Sequence, residues 1–174
     1  MTDLSKTKEN PQEQLWKKLD EVNAGMLGVD GSGLHMQPMA QILDQDRKRL
    51  IFFTQKDSEL VKTLKPGDRA HFCLIGSDHD YHACLTGPIR AERNENLIEQ
   101  HWNAVVAAWF DGKTDPNMTL LIVDLENVKI WASTDSSVKF GWEILQANLT
   151  DHHPEVGVTT EISFLGDKPS VAAE

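Results

Sequence analysis

The run Gly31-Ser32-Gly33-Leu34-His35-Met36-Gln37-Pro38-Met39-Ala40-Gln41-Ile42 decides the fold of this 174-residue chain, together with Leu50-Ile51-Phe52-Phe53-Thr54 and Gln55-Lys56-Asp57-Ser58-Glu59-Leu60-Val61-Lys62-Thr63-Leu64. It reads as strand, turn, strand, short helix. Leu50 to Thr54 is apolar and rich in strand-forming residues. Pro38 has no N–H for a ladder, so it marks an edge, a bulge or a bend. Asp57 is placed to cap a helix that turns Leu60, Val61 and Leu64 inward. Two strands beside a helix start form a candidate anion site, because the first helical N–H groups lack partners and the dipole there is positive.

Working outward, residues 1–10 are polar and read as a flexible terminus. Pro11 to Val22 places Leu15, Trp16, Leu19 and Val22 on one helical face. Ala24 to Val29 is a short strand, and Asp30-Gly31-Ser32-Gly33 is a hairpin turn. Pro66-Gly67-Asp68 turns the chain into two strands, Arg69 to Ile75 and Tyr81 to Arg93, joined by a hairpin over 76–80. Gly87-Pro88 interrupts the second strand and reads as a bulge or corner. Asn94 caps one long helix carrying Ile98, Trp102, Val105, Val106 and Trp109 at helical spacing, ending at Phe110-Asp111-Gly112. Leu120 to Trp131 is a strand with a break at Glu126-Asn127. Ser136 or Ser137 starts a last helix with Val138, Trp142, Leu145 and Leu149 inward. Residues 11–150 form one domain with no splitting linker. Residues 151–174 are a partly disordered extension with one strand, Glu161 to Phe164.

Strands joined by tight turns with a few helices outside predict a mainly β fold, a small antiparallel barrel. The βαβ alternation and the Gly-x-Gly-x-x-Gly run of a dinucleotide fold are absent. A net charge of −10, from 17 basic and 27 acidic residues, argues against nucleic acid and anionic membranes as partners. No apolar run reaches membrane length and the N-terminus lacks a signal-peptide core, so the expected location is cytoplasmic. Cys73 and Cys84 have no metal-ligand spacing; they read as reduced thiols within strands, with no evident cationic neighbour. His152-His153 reads as an exposed pair rather than a metal site. No serine-histidine-acid order with a nucleophile elbow occurs, and no His-Glu-x-x-His, so catalytic residues stay unassigned and no metal is expected.

Pro38-Met39, Phe52-Phe53-Thr54, Ser58 with Val61 and Leu64, Gly87, Trp102-Asn103, Ala108-Trp109-Phe110, Asp115-Pro116 and Trp131-Ala132-Ser133 follow one another in a telling order. Over about residues 12–150 the chain resembles the general-stress-protein branch of the pyridoxamine 5′-phosphate oxidase-like family, the FMN-binding split barrels. The resemblance implies a six-stranded antiparallel split β-barrel with outer helices. It implies a homodimer with two FMN sites in the interface and, if the protein is an enzyme, a flavin-dependent oxidoreductase. Five tryptophans beside one tyrosine agree with an aromatic interface.

In such proteins an arginine before Pro-Met and the serine and lysine of a Ser-x-Lys helix start hold the flavin phosphate. Gln37 stands at the arginine position, with Pro38 and Met39 after it. Ser58 is kept, and Leu60 stands at the lysine position. The resemblance thus implies a weakened phosphate site, with riboflavin or another flavin as alternatives to FMN. Gln37 would offer its amide to a phosphate or ribityl oxygen, the plainer reading being a solvated strand glutamine. Leu60 reads most simply as core. The backbone at Phe53 and Thr54 would line the ring edge. His82, aligned on Gly87, would face the partner's flavin, against a plain strand histidine. Trp109 and Trp131 would flank the ring, against ordinary packing. The alternative function is a split-barrel dimer that has lost tight FMN binding and holds another small-molecule ligand. Flavin chemistry needs no protein acid or base for electron transfer itself, so a missing triad does not exclude a redox enzyme.

Overall fold

The computed structural model describes residues 2–133 and 157–165. In chain order its helices are α1 Leu4–Glu9, α2 Pro11–Glu21, α3 Glu59–Thr63, α4 Glu95–His101 and α5 Ala104–Ala107. Its strands are β1 Gly25–Val29, β2 Gln37–Met39, β3 Ile42–Asp44, β4 Arg49–Gln55, β5 Arg69–Ile75, β6 Tyr81–Glu92, β7 Met118–Asp124, β8 Asn127–Ser133 and β9 Gly157–Ser163. Nine strands thus occupy the described residues where six were expected for the barrel: the 34–43 and 120–131 runs each divide in two, and β9 is the strand expected in the C-terminal extension. The helix expected from Ser136 or Ser137 and the His152-His153 pair lie outside the described residues. Among the described residues no helix is long and apolar enough to cross a membrane.

The chain forms two compact units, each assembled from separate segments. The central unit holds residues 24–72 and 86–125. Its strands pair antiparallel: β1 with β2, β3 with β4, β4 with β7, and β7 with the far half of β6. β7 is buried at every position from Met118 to Val123, as a strand covered on both faces must be. Ile51, Leu97, Ile98, Met118, Leu120 and Ile122 form a core on which Ile42, Phe53, Trp102 and Phe110 rest. Pro38 sits in β2, the end strand of the order, where its missing N–H breaks no ladder.

Three local expectations change here. Ser58, not Asp57, caps α3: its extended backbone and its Oγ, accepting from the Val61 N–H at 3.3 Å, make the cap. The single long helix is two short ones. Asn103 accepts from the N–H groups of Val105 and Val106, and that local bonding competes with helix continuation, so the chain breaks at Trp102-Asn103 and restarts. Gly87-Pro88 does not interrupt β6, which runs unbroken from Tyr81 to Glu92. Gly87 is needed for a close approach instead, since a Cβ there would lie 1.8 Å from the Asp124 carbonyl oxygen.

Charge ties the same strands together. Asp124 accepts from Arg49 Nε at 2.6 Å and from Arg90 Nη1, and Arg90 Nε donates to Glu92 at 2.9 Å. The hydrogen bond from Arg90 holds the Glu92 carboxyl below its ordinary value of 4.5. A carboxylate that binds its proton more weakly when folded adds stability above the unfolded pKa and loses it as pH falls through the folded one. The urea midpoint is therefore expected to fall as pH drops below that ordinary value. Arg90→Met should flatten this part of the pH profile; an unchanged profile in the variant would remove Glu92 from the account.

The other unit joins residues 1–23, 73–85 and 126–174. The N-terminus is not the flexible polar run expected: Leu4–Glu9 is helical, and Asp3 caps it by accepting from Ser5 and Lys6 N–H groups. Thr2 donates from its N–H and its hydroxyl to Asp80, and Thr7 is buried against Gln14 Oε1 at 2.8 Å. α2 buries Leu15, Trp16 and Leu19, and Trp16 stacks on Phe164 with ring centroids 6.0 Å apart. β8 and β9 pair along their whole lengths, so the expected 161–164 strand begins earlier, at Gly157.

Candidate functional site

The alternation of hydrogen bonds along β4 decides where its backbone points. Lys56 N–H donates to Asn117 O at 2.7 Å, in register with the β4–β7 ladder. Residues paired by hydrogen bonds alternate along an antiparallel strand. The backbone groups of Thr54 and Phe52 therefore face β7, and those of Phe53 face the opposite edge. On that edge the β3 ladder stops at Ile51, opposite Ile42. The N–H and C=O of Phe53 point past the end of that ladder, where no strand among the described residues pairs with them, while its half-buried ring lies 6.2 Å from that of Phe110.

Gln37 and Met39 share one face of β2, both half-buried, opposite Leu27 and Gly25; Pro38 is exposed, opposite Met26. Because β3 runs antiparallel to β4, the chain arriving from β2 enters from the end of β4 that carries Phe53, Thr54 and α3. One run of backbone thus delivers Gln37, Pro38, Met39, Phe53, Thr54, Ser58 and Leu60 to the central unit.

At the α3 corner the chemistry departs from a charged anion cradle. Leu60 is 3% exposed and packs as core. Lys56 Nζ donates to the Pro116 carbonyl at 2.6 Å, and Asp57 accepts from Asn117 Nδ2 at 3.0 Å. Both charged side chains are thereby committed to the 113–118 strap. Arg93 holds that strap: its guanidinium donates to the carbonyls of Asp115 at 2.6 Å, Met118 at 3.1 Å and Lys113 at 2.9 Å. Hydrogen bonds from a charged donor are the strong ones, so Arg93→Ala is expected to cost about 2–4 kcal/mol. Urea unfolding checks this; a loss under about 0.5 kcal/mol, the usual surface value, would show the strap stands without it.

Trp109 follows α5 and is 75% exposed, with Val105 close by in the chain and also exposed. It is not core in this chain.

His82 and Trp131 belong to the other unit. Ser133 N–H donates to Asp80 O at 2.8 Å, which sets β8 against β6 with residue numbers summing to 213. The burial alternation agrees, since Tyr81, Ala83 and Leu85 are buried in step with Ala132, Ile130 and Val128. Trp131 therefore stands opposite His82, both on the less buried face. Lys129 stands opposite Cys84, with its Nζ 5.9 Å from the Trp131 ring centroid. The expectation that no cation neighbours the thiols fails at Lys129, which lies 45 positions along the chain from Cys84. A cavity of about 240 Å³ in this unit, lined by Thr2, Asp3, Lys6 and Gln14 among others, includes none of the expected site residues. Among the described residues no group of three or more His, Cys, Asp or Glu could hold a metal.

The family model described as pyridoxamine 5′-phosphate oxidase like matches residues 10–155. The chain belongs to this family. Its mainly antiparallel β architecture is the one expected of split barrels. Among relatives, general stress protein 26 of Bacillus subtilis (strain 168) is 25% identical over 81 residues, 44% of this chain and 57% of that protein. The chain thus spans somewhat over half the length of that relative. A structure from Jannaschia sp. CCS1, named for general stress protein 26, is 29% identical and covers 89% of this chain and 99% of its own, with a TM-score of 0.71. The general stress FMN/FAD binding protein of Xanthomonas citri is 36% identical, covering 72% of this chain and 90% of its own, with a TM-score of 0.67. Sequence reading singled out neither Arg93 nor Lys129, which lie outside the stretches that carry the family resemblance. The apolar–polar alternation of 127–133 is visible, but its register against β6 is not.

Proposed function

We propose that this member of the pyridoxamine 5′-phosphate oxidase-like family binds a flavin and acts as a flavin-dependent oxidoreductase. The observation that carries the reading is the open edge at Phe53, whose N–H and C=O can pair with the hydrogen-bonding edge of an isoalloxazine ring. The likeness to the FMN/FAD binding protein of Xanthomonas citri supports it. The phosphate end fits less well. Leu60 is buried and offers no charge, and Lys56 is held by Pro116. Gln37 offers a neutral amide, and Ser58 Oγ, already accepting from Val61, still has its own O–H to donate.

A flavin, when bound, would supply the capacity to accept and pass on hydride or electrons. The chain's part is then to bind and orient. Phe53 would fix the ring edge, the backbone of Thr54 being taken by the β7 ladder, Gln37 and Ser58 would hydrogen-bond the ribityl chain or phosphate, and Pro38 and Met39 would pack beside them. A homodimer is the assembly proposed, with exposed Trp109 and Val105 as surface it would cover, and Trp131 with His82 as the aromatic and polar pair nearest the ring of a second subunit. Sedimentation tests the assembly: a stable monomer at micromolar concentration would exclude it. The ligand reading is tested by the absorbance of the purified protein and by titration with riboflavin and FMN. Saturable quenching of flavin fluorescence is expected; protein that is colourless and leaves both flavins unquenched would exclude it. In that case the second reading, a split barrel serving another ligand, would follow, favoured by the buried Leu60.

A further inference from the structure

The β5–β6 hairpin places the only two cysteines face to face. Gly76 N–H donates to Tyr81 O at 2.7 Å at one end, and Ile89 N–H donates to Asp68 O at 3.0 Å at the other. Both pairs of residue numbers sum to 157, so no net slip separates them. Burial gives the same register: Ala70, Phe72 and Leu74 are buried in step with Gly87, Leu85 and Ala83. Cys73 is therefore directly opposite Cys84. Counting from the bonded pair Gly76–Tyr81, three residues away, this is a non-hydrogen-bonded pair, the kind whose Cα atoms lie closest, at about 4.5 Å. That separation falls inside the range a disulfide spans.

Both side chains are half-buried and both are thiols. On its other flank Cys84 stands opposite Lys129 of β8, whose Nζ lies 5.9 Å from the Trp131 ring centroid. Glu161 lies opposite Lys129 on β9, and its Oε1 accepts from Asn127 Nδ2.

We propose that Cys73 and Cys84 are a redox-active dithiol that small disulfides oxidise to an intramolecular disulfide, with Cys84 as the attacking sulfur. The Cys84 thiolate attacks one sulfur of the small disulfide and releases one small thiolate. Cys73, losing its proton, attacks the Cys84 sulfur of the mixed disulfide and releases the second. The sum is one protein dithiol and one small disulfide giving one protein disulfide and two small thiols. Two electrons pass to the small disulfide and nothing else is consumed. Lys129 is a positioning residue: it favours the thiolate that attacks. The reading does not depend on flavin binding.

The test is incubation of the native full chain with oxidised glutathione, followed by alkylation and intact mass. The expected product is lighter by two hydrogens, carries no glutathione, and yields a peptide linking 73 to 84. Cys73→Ser should trap glutathione on Cys84. Lys129→Met should slow the reaction by about tenfold, and Lys129→Arg should restore it. The same chain in concentrated urea should close the bond at least about tenfold less favourably, since there the two sulfurs are not held together. Stable glutathione adducts on the native wild-type chain without a linked peptide would overturn the proposal. So would no reaction at all, or closure as favourable in urea as in the folded protein.

Discussion

Gly87→Ala is expected to lower the thermal midpoint by roughly 6–12 °C, the shift that about 3 kcal/mol or more gives in a chain of this size. The added Cβ would meet the Asp124 carbonyl oxygen at 1.8 Å and its carbon at 2.8 Å. These are backbone atoms, and no rotamer change can move them aside. Relief requires β6 and β7 to part next to Ile89↔Val123, in the ladder that also carries the Arg90–Asp124 pair. Gly112→Ala is the control. Its added Cβ meets nothing within 4 Å, although its φ of +95° brings some strain, worth about 1 kcal/mol. A midpoint shift at Gly87 no larger than at Gly112 would show that the two strands can shear apart at little cost.

The second large effect is on the ligand. Gln37→Arg with Leu60→Lys should tighten FMN by about 3–6 kcal/mol, on the order of a hundred- to ten-thousand-fold, since each restored cation adds a charged hydrogen bond. Riboflavin, which has no phosphate, should change little. Gln37→Arg alone should give roughly 10- to 100-fold, because residue 37 is half-buried on an end strand and a longer side chain can extend from it. Leu60→Lys alone should cost about 2–4 kcal/mol of stability, since the leucine is 3% exposed and its replacement must carry an ammonium out of the core. The loss measured by urea unfolding separates this cost from the gain in binding. An unchanged FMN affinity in the double variant would mean that residues 37 and 60 do not approach the phosphate.

How far the sequence led depended on how local each determinant was. The 11–21 helix and the β4 strand carry their own patterns, an apolar stripe at helical spacing and an apolar β-prone run, and both lie where expected. The hairpins after Val29 and Ile75 were likewise legible from their turn residues. α1 was not: Asp3 caps it locally, but the polar 4–9 run carries no apolar stripe to mark a helix, and Thr2 before it is anchored to Asp80 across 78 positions. The split of the 94–112 helix turned on one side chain, Asn103, whose capping bonds outweighed the helical spacing of Trp102, Val105 and Val106. At Gly87 the residue type was noticed but its purpose was misjudged, since the demand for it comes from Asp124 on another strand. The candidate site follows the same division. Ser58 and Leu60 could be placed from α3 alone. The pairing of His82 with Trp131 and of Cys84 with Lys129 needed the register of β8, which no single segment contains. Arg93 reads as a surface arginine until the carbonyls of 113–118 are folded around it.

The central claim is that the ring edge at Phe53 survives while the charged phosphate cradle is lost at Gln37 and Leu60. The measurement that tests it most directly is a flavin-fluorescence titration of the wild-type protein with riboflavin and FMN, at low and high salt. The account predicts saturable binding of both, with affinities within roughly tenfold of each other and little dependence on salt. A preference for FMN of several hundred-fold, weakening as salt is raised, would contradict it and place a cation on the phosphate after all.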